Sequence, residues 1–268
     1  MTTAPPPLVA CDLDGVVWRG DEAIAPAADG IAALRAAGLR VAFVSNNSSS
    51  PVGDVLAKLA RMGIPADHDD VVTSALAAAW LLQHSLPPGA RVLVCGGPGV
   101  REALAEAGLE AVDDGPAAAV VVGFHRDFDY DALDRASRAV RDGARFVATN
   151  LDATYPVPGG LIPGAGSLVA AVATAAGRAP EVAGKPELPT VGIIRERYGD
   201  TGVVVGDRPS TDGALATALG WPFALVLSGV TAAVAPPGGE AIPHPAPPFV
   251  AADLGELAPA LITALRHT

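Results

Sequence analysis

The segment LVACDLDGVVWRG (residues 8–20) places Asp12 and Asp14 one residue apart at the exit of an apolar run. Asp and Gly populate turns and helix caps for conformational reasons alone, so D-x-D-G in isolation fits a loop as well as a site. An EF-hand calcium loop is a poor match, because Val16 stands where a third oxygen ligand is needed and no Glu follows at the twelfth position. Three more polar clusters border apolar runs: SNNS (45–48), GKPE (184–187) and GDRPSTD (206–212). Parallel sheets bind ligands beyond the carboxyl ends of their strands, which makes these clusters one set to be read together.

Phosphoryl transfer to a carboxylate joins them. A carboxylate approaching a phosphate dianion is repelled, so such a site must supply a cation and oriented donors. Asp12 and Asp207 can hold Mg2+, Ser45 with neighbouring N–H groups can cradle phosphate oxygens, and Lys185 can neutralise charge developing at the phosphoryl group. Lysine is nearly absent from this Arg-rich chain, occurring only at Lys58 and Lys185, so a compact ammonium at either position raises a question. Alternation along the first strand sets Cys11 opposite Asp12 and turns Asp12 and Asp14 the same way.

The elements that must position these groups follow a pattern of short β-branched runs and Ala/Leu/Arg stretches, as in βαβ units on a mostly parallel sheet. Strands are expected at residues 8–13, 39–44, 91–95, 118–124, 145–149, 202–206 and 223–227. Helices are expected at residues 27–37, 52–62, 74–85, 100–107, 130–141, 166–176, 188–198, 211–219 and 254–265. The Pro/Gly-rich segment 235–249 lacks periodicity and is expected to form a surface loop before a last short strand.

Half of the 268 residues are apolar, yet Gly, Pro, Asp or Arg interrupts every run before it reaches membrane-spanning length. The N-terminal MTTAPPPLVACDLD does not look like a secretory signal, and cytoplasmic residence is the expectation. A net charge of −11 argues against partners that are nucleic acids or anionic membranes. Two cysteines without C-x-x-C suggest neither a disulfide framework nor a zinc site.

On DLDGV, VSNNS, GKP and GDRPSTD, the chain resembles the haloacid dehalogenase (HAD) superfamily of phosphatases. The resemblance implies a doubly wound α/β core and Mg2+ as cofactor. It makes Asp12 the nucleophile that forms an aspartyl phosphate, and Asp14 the acid that protonates the leaving alcohol and then activates water. Ser45 and Asn46 would bind phosphate, Lys185 would brace nucleophile and phosphate, and Asp207 would ligate Mg2+ with Asp12 and the Asp14 carbonyl. Asp212 would support the metal from behind its ligands or, alternatively, join them. ATPase pumps with a similar motif carry Thr where Asp14 stands, so a phosphatase is implied.

Between Asp12 and Ser45 lie enough residues for a turn flap and one helix, whereas the 140 residues from Ser45 to Lys185 exceed what a core connection needs. The expected organisation is a core of residues 1–78 and 183–268 with a smaller α/β unit, a C2-type cap, inserted at 79–182. Within it, VVVGFHRDFDYDALDRA, FVATNLDATYP and LIPGAGSLVAAV are similar to the subfamily of NagD-type, pyridoxal phosphate, phosphoglycolate and glycerol 3-phosphate phosphatases. The implied substrate is a small phosphorylated metabolite, with 4-nitrophenyl phosphate as an artificial one. His125 replaces the Asp common there, and His125 with Arg126 is assigned to the non-phosphate part of the substrate. Cap-mediated dimerisation is common among such proteins, which leaves a homodimer through the cap open.

Three rivals stand beside this. Cys95 and Arg101 satisfy the C-x5-R spacing of cysteine phosphatases. A two-domain α/β chain can also close on a small molecule without chemistry, and a phosphotransferase would pass the same aspartyl phosphate to an alcohol.

Overall fold

Strands in the middle of a parallel sheet are covered on both faces and therefore read as unbroken apolar runs. Leu8–Cys11, Gly202–Gly206 and Ala119–Val122 have that character, and each is buried along its whole length. In the computed structural model, which describes residues 6–157, 160–232 and 239–265, they form the centres of two sheets. The first runs Phe249–Ala251, Phe223–Val226, Gly202–Gly206, Leu8–Cys11, Arg40–Ser45, Val71–Thr73. The second runs Glu181–Val182, Arg145–Ala148, Ala119–Val122, Arg91–Cys95, Glu110–Val112, with parallel pairing throughout. The chain divides into two compact units, one within Met1–Ser45, Leu56–Val72 and Val191–Thr268, the other within Asn46–Val55 and Thr73–Thr190.

Local chemistry fixes the helices. Pro26 opens the helix Pro26–Ala36, where its missing N–H has no intrahelical role, and Ala27, Ile31 and Leu34 form the buried face. Thr73 caps Ser74–Gln83 by accepting the Leu76 N–H at 3.2 Å. Asp129 does the same for Tyr130–Arg141, accepting the Ala132 N–H at 2.7 Å. In the second unit, Ala136 and Val140 of that helix and Val169 and Val172 of Ala165–Ala176 pack with Val120, Val122 and Phe146.

Each strand and helix expected from the sequence has a counterpart. The strands Val71–Thr73, Glu110–Val112 and Glu181–Val182 were not expected; three residues or fewer carry no periodicity to detect. The first strand stops at Cys11 instead of residue 13, because the Leu13 carbonyl turns to accept the N–H groups of Val17 and Trp18 at 2.8 and 3.2 Å. The helix expected from residue 211 begins instead with a π-helical turn, Pro209–Gly213, followed by Ala214–Leu219. There the Asp212 carboxylate accepts the Arg208 N–H at 3.1 Å, a bond that competes with regular helix. Of the expected loop 235–249, residues 235–238 lie outside the described residues, as do residues 1–5 of the N-terminal segment; the last short strand is Phe249–Ala251. Among the described residues, no helix is long and apolar enough to cross a membrane.

Phe146 is 2 % exposed at the centre of the second unit's core. Replacing it with Ala is expected to lower stability by about 3–5 kcal/mol, read as a fall in the urea midpoint monitored by far-UV circular dichroism.

Candidate active site

Strand register builds the acidic end of the first unit. Cys11 pairs with Val205 on one side and Phe43 on the other, so Asp12 emerges level with Gly206–Asp207 and with Val44–Ser45. The Asp12 N–H continues the ladder to the Val205 carbonyl at 2.9 Å. Ser45, the last residue of its strand, is buried.

Carboxylate oxygens of Asp12, Asp207 and Asp212 lie within 4.8 Å of one another, and all three residues are buried. Backbone donors hold them: the Val230 N–H reaches Asp207 Oδ2 at 2.7 Å and the Arg208 N–H reaches Asp212 Oδ2. Two glycines make room for Asp207. A Cβ on Gly229 or Gly15 would fall inside its carboxyl group, and Gly15 also sits at φ +88°, where a side chain is strained. If all three were ionised, each pair would repel by about 3–4 kcal/mol at an effective dielectric of 20. Buried oxygen ligands that repel each other and are kept together by backbone donors fit a hard divalent cation. Asp212 thus stands with Asp12 and Asp207 as a third carboxylate of the cluster.

Asp14 stands outside that trio. Its residue is half-buried in the turn after the strand, and Oδ1 accepts the indole N–H of Trp18 at 3.0 Å. The strand alternation that would turn Asp12 and Asp14 alike ends at Cys11, before either residue.

Asn46 and Lys185 belong to the second unit. The Lys185 N–H donates to Asn46 Oδ1 at 2.8 Å, and Asn46 Nδ2 faces the Lys185 carbonyl at 3.3 Å and Asp152 Oδ2 at 3.4 Å. The Asn46 carbonyl accepts from Ser74 Oγ at 2.6 Å and Asn150 Nδ2 at 2.8 Å. The amide of Asn46 is thus engaged with the backbone that carries Lys185. Lys185 is itself buried. His125 is half-buried, with Nδ1 3.1 Å from the Gly123 carbonyl and its ring edge-on to Phe128, while Arg126 is exposed.

The C-x5-R pattern is not a phosphate cradle. Burial pushes the Cys95 thiol up to about 12 against the opposing pull of Arg135, leaving it neutral at pH 7. Arg101 is paired with Asp113, and the Gly99 N–H in the first turn of the helix Pro98–Glu106 is taken by the Ser49 carbonyl at 3.0 Å. PGAGS likewise opens the helix Ala165–Ala176 with its Gly164 and Gly166 N–H groups bonded to the carbonyls of Ala153 and Asp152.

Several supports escaped the sequence reading. Ser228 Oγ donates to the Gly15 carbonyl at 2.7 Å, and the Ser228 carbonyl accepts from Arg19 Nε at 2.6 Å. Glu240 accepts the Ser210 N–H at 3.0 Å and so ties down the turn that carries Asp212. The SGVT stretch (228–231) follows an apolar strand and satisfies the same positional rule as the four clusters, so its signal was present. Glu240 gave none, being isolated in sequence.

Buried carboxylates gathered beyond the carboxyl edge of a parallel sheet make this end of the α/β fold suited to a divalent cation. A haloacid dehalogenase-like hydrolase profile matches residues 9–110 and a HAD-hydrolase-like profile matches residues 182–257. The D-glycerol 3-phosphate phosphatase of Mycobacterium tuberculosis is 42 % identical over 83 % of this chain, which spans 63 % of that protein. The glycerol-3-phosphate phosphatase of Gallus gallus is 35 % identical over 93 % of this chain and 90 % of its own. The crystal structure of a M. tuberculosis glycerol phosphate phosphatase in complex with magnesium superposes with a TM-score of 0.84 at 38 % identity, covering 94 % of this chain and 77 % of that one. The chain belongs to the haloacid dehalogenase-like hydrolase family.

Because Gly229 leaves no space for a Cβ beside Asp207, Gly229→Ala is expected to displace that carboxylate. Mg2+ affinity measured by titration calorimetry should fall about 10–100-fold in a protein whose circular dichroism is unchanged.

Proposed function

We propose that the protein is a Mg2+-dependent phosphatase that hydrolyses a small-metabolite phosphomonoester through an aspartyl phosphate on Asp12. One observation carries this: Asp12 sits in a buried trio of carboxylates at the end of the central strand, with a second acid, Asp14, two residues on. The crowding of three buried carboxylates serves a cation, and a module that merely closes on a small molecule has no need of a further acid beside them.

Asp12, Asp207 and Asp212 would hold Mg2+, together with the Asp14 carbonyl. Bound there, the ion supplies charge neutralisation for the carboxylates and for the phosphoryl oxygens. An Asp12 carboxylate oxygen forms a bond to phosphorus while the ester P–O bond breaks; the departing oxygen keeps that electron pair and takes a proton from Asp14. Asp14, now a carboxylate, removes a proton from water as the water oxygen bonds to phosphorus, and Asp12 is released with inorganic phosphate. Ser45 and the main chain of Asn46 bind phosphoryl oxygens, and Lys185 offsets their charge. Segment 79–182 acts as a cap that selects the alcohol, with His125 and Arg126 touching the non-phosphate part.

Glycerol 3-phosphate leads the candidate esters, because two relatives are named for it and one of them spans almost the whole chain. Sugar phosphates, phosphoglycolate and pyridoxal phosphate complete the panel, with 4-nitrophenyl phosphate as an artificial substrate. Cytoplasmic residence and a homodimer through the cap belong to the same proposal.

Phosphate release from this ester panel is expected with Mg2+ and to vanish with EDTA. Asp12→Asn should reduce kcat by more than about 10³-fold with the fold intact; Mg2+-independent turnover, or near-native kcat in this variant, overturns the assignment. His125→Ala with Arg126→Ala should change kcat/KM of one ester relative to another by about tenfold; unchanged ratios across the panel remove both residues from substrate selection.

A further inference from the structure

Two residues have no part in the chemistry above: Trp18 in the turn after the first strand, and Lys58, one of two lysines in the chain. They meet in the first unit. Lys58 Nζ lies 4.2 Å from the centroid of the Trp18 ring and donates to the Gly20 carbonyl at 2.6 Å. Trp18 is 4 % exposed, and its Nε1–H points at Asp14 Oδ1. The backbone repeats the contact, for Asp14 and Trp18 form a β-bridge in which the Gly15 N–H donates to the Trp18 carbonyl at 2.7 Å.

We infer that Trp18 is the positioning residue for the acid of the reaction, and that Lys58 secures it; this rests on the role proposed for Asp14. An indole N–H can only donate, so the carboxyl oxygen it meets must accept. Oδ1 is therefore occupied as an acceptor, and Oδ2 is the oxygen left to face the leaving group. The same bond limits rotation of the carboxyl group, which a short, half-buried side chain in a turn would otherwise sample. Lys58 lies over the π-face of the indole and anchors the turn at Gly20, so that the ring is held from its face as well as its edge. In a chain with only one other lysine, a compact ammonium suits a position that must serve both a ring face and a carbonyl.

The consequence is specific to the leaving group. An alkoxide such as that from glycerol 3-phosphate leaves only when protonated as its P–O bond breaks, whereas 4-nitrophenolate leaves without a proton. Trp18→Phe keeps the ring and its contact with Lys58 but deletes the N–H. The quantity to compare is kcat/KM, which reports steps up to release of the alcohol and excludes the later hydrolysis common to all esters. For Trp18→Phe, kcat/KM on glycerol 3-phosphate is expected to fall about 10–100-fold while that on 4-nitrophenyl phosphate changes less than about threefold. An equal loss on both esters, or no loss on the alkyl ester, overturns the assignment. Asp12→Asn in the same assays separates the two levels: turnover surviving in that variant refutes the aspartyl-phosphate chemistry itself, whatever Trp18 does. A measurement without turnover covers the case in which Trp18→Phe does not fold. In 15N-labelled protein, Asp14→Ala should move one of the three indole N–H resonances; none moving overturns the contact.

Discussion

The crowding of three buried carboxylates is the constraint on which this end of the first unit depends. Asp12 comes from one stretch of chain and Asp207 and Asp212 from another, and a parallel register between neighbouring strands is the means of bringing the first two level. Such a cluster stays together only if something other than mutual attraction holds it. Here the holders are main-chain N–H groups of Val230 and Arg208 on the carboxylates and two glycines that let the chain pass against Asp207. Main-chain donors have fixed directions once the sheet has formed. They therefore preorganise the oxygen ligands before any cation arrives, and the sheet's stability maintains the strained arrangement of charge.

The second unit solves a related problem with a different device. Lys185 is a single buried cation on a stretch that lies between a short strand and a helix, where no extended ladder fixes the backbone. Asn46 supplies the missing ladder from a side chain, its amide facing both the N–H and the carbonyl of Lys185 as a strand neighbour would. Ser74 and Asn150 in turn hold the Asn46 carbonyl. The residue next to Ser45 in sequence thus shapes the lysine segment through its side chain.

Much of this was legible in the sequence because central parallel strands are continuous apolar runs and because polar residues after them have few structural reasons to be there. Asp12, Ser45 and Asp207 follow that rule, Lys185 stands out by the scarcity of lysine and its place before a helix, and Cys95 is separable from them only by its burial and the pairing of Arg101. What escaped was of two kinds. Edge strands such as Glu110–Val112 are too short to show a period, and their existence depends on a neighbour supplied from elsewhere in the chain. Contacts such as Glu240 with Ser210, or Trp18 with Asp14, depend on where a turn points a side chain, and composition at a turn does not encode direction. The length of the helix after Asp207 was misjudged for the same reason: Asp212 bends its carboxylate back onto Arg208, and helical periodicity does not register that local bond.

The neutrality of Cys95 has a consequence beyond the exclusion of a rival chemistry. Peroxide reacts with thiolates, and a thiol held far above its usual range by burial offers almost none at neutral pH. Cys11, the other cysteine, is also buried, in the central strand directly before Asp12. Carboxylates, a hydroxyl and an ammonium group are inert to the same oxidant. A phosphatase built this way would continue to turn over under oxidative stress that silences enzymes with a sulfur nucleophile.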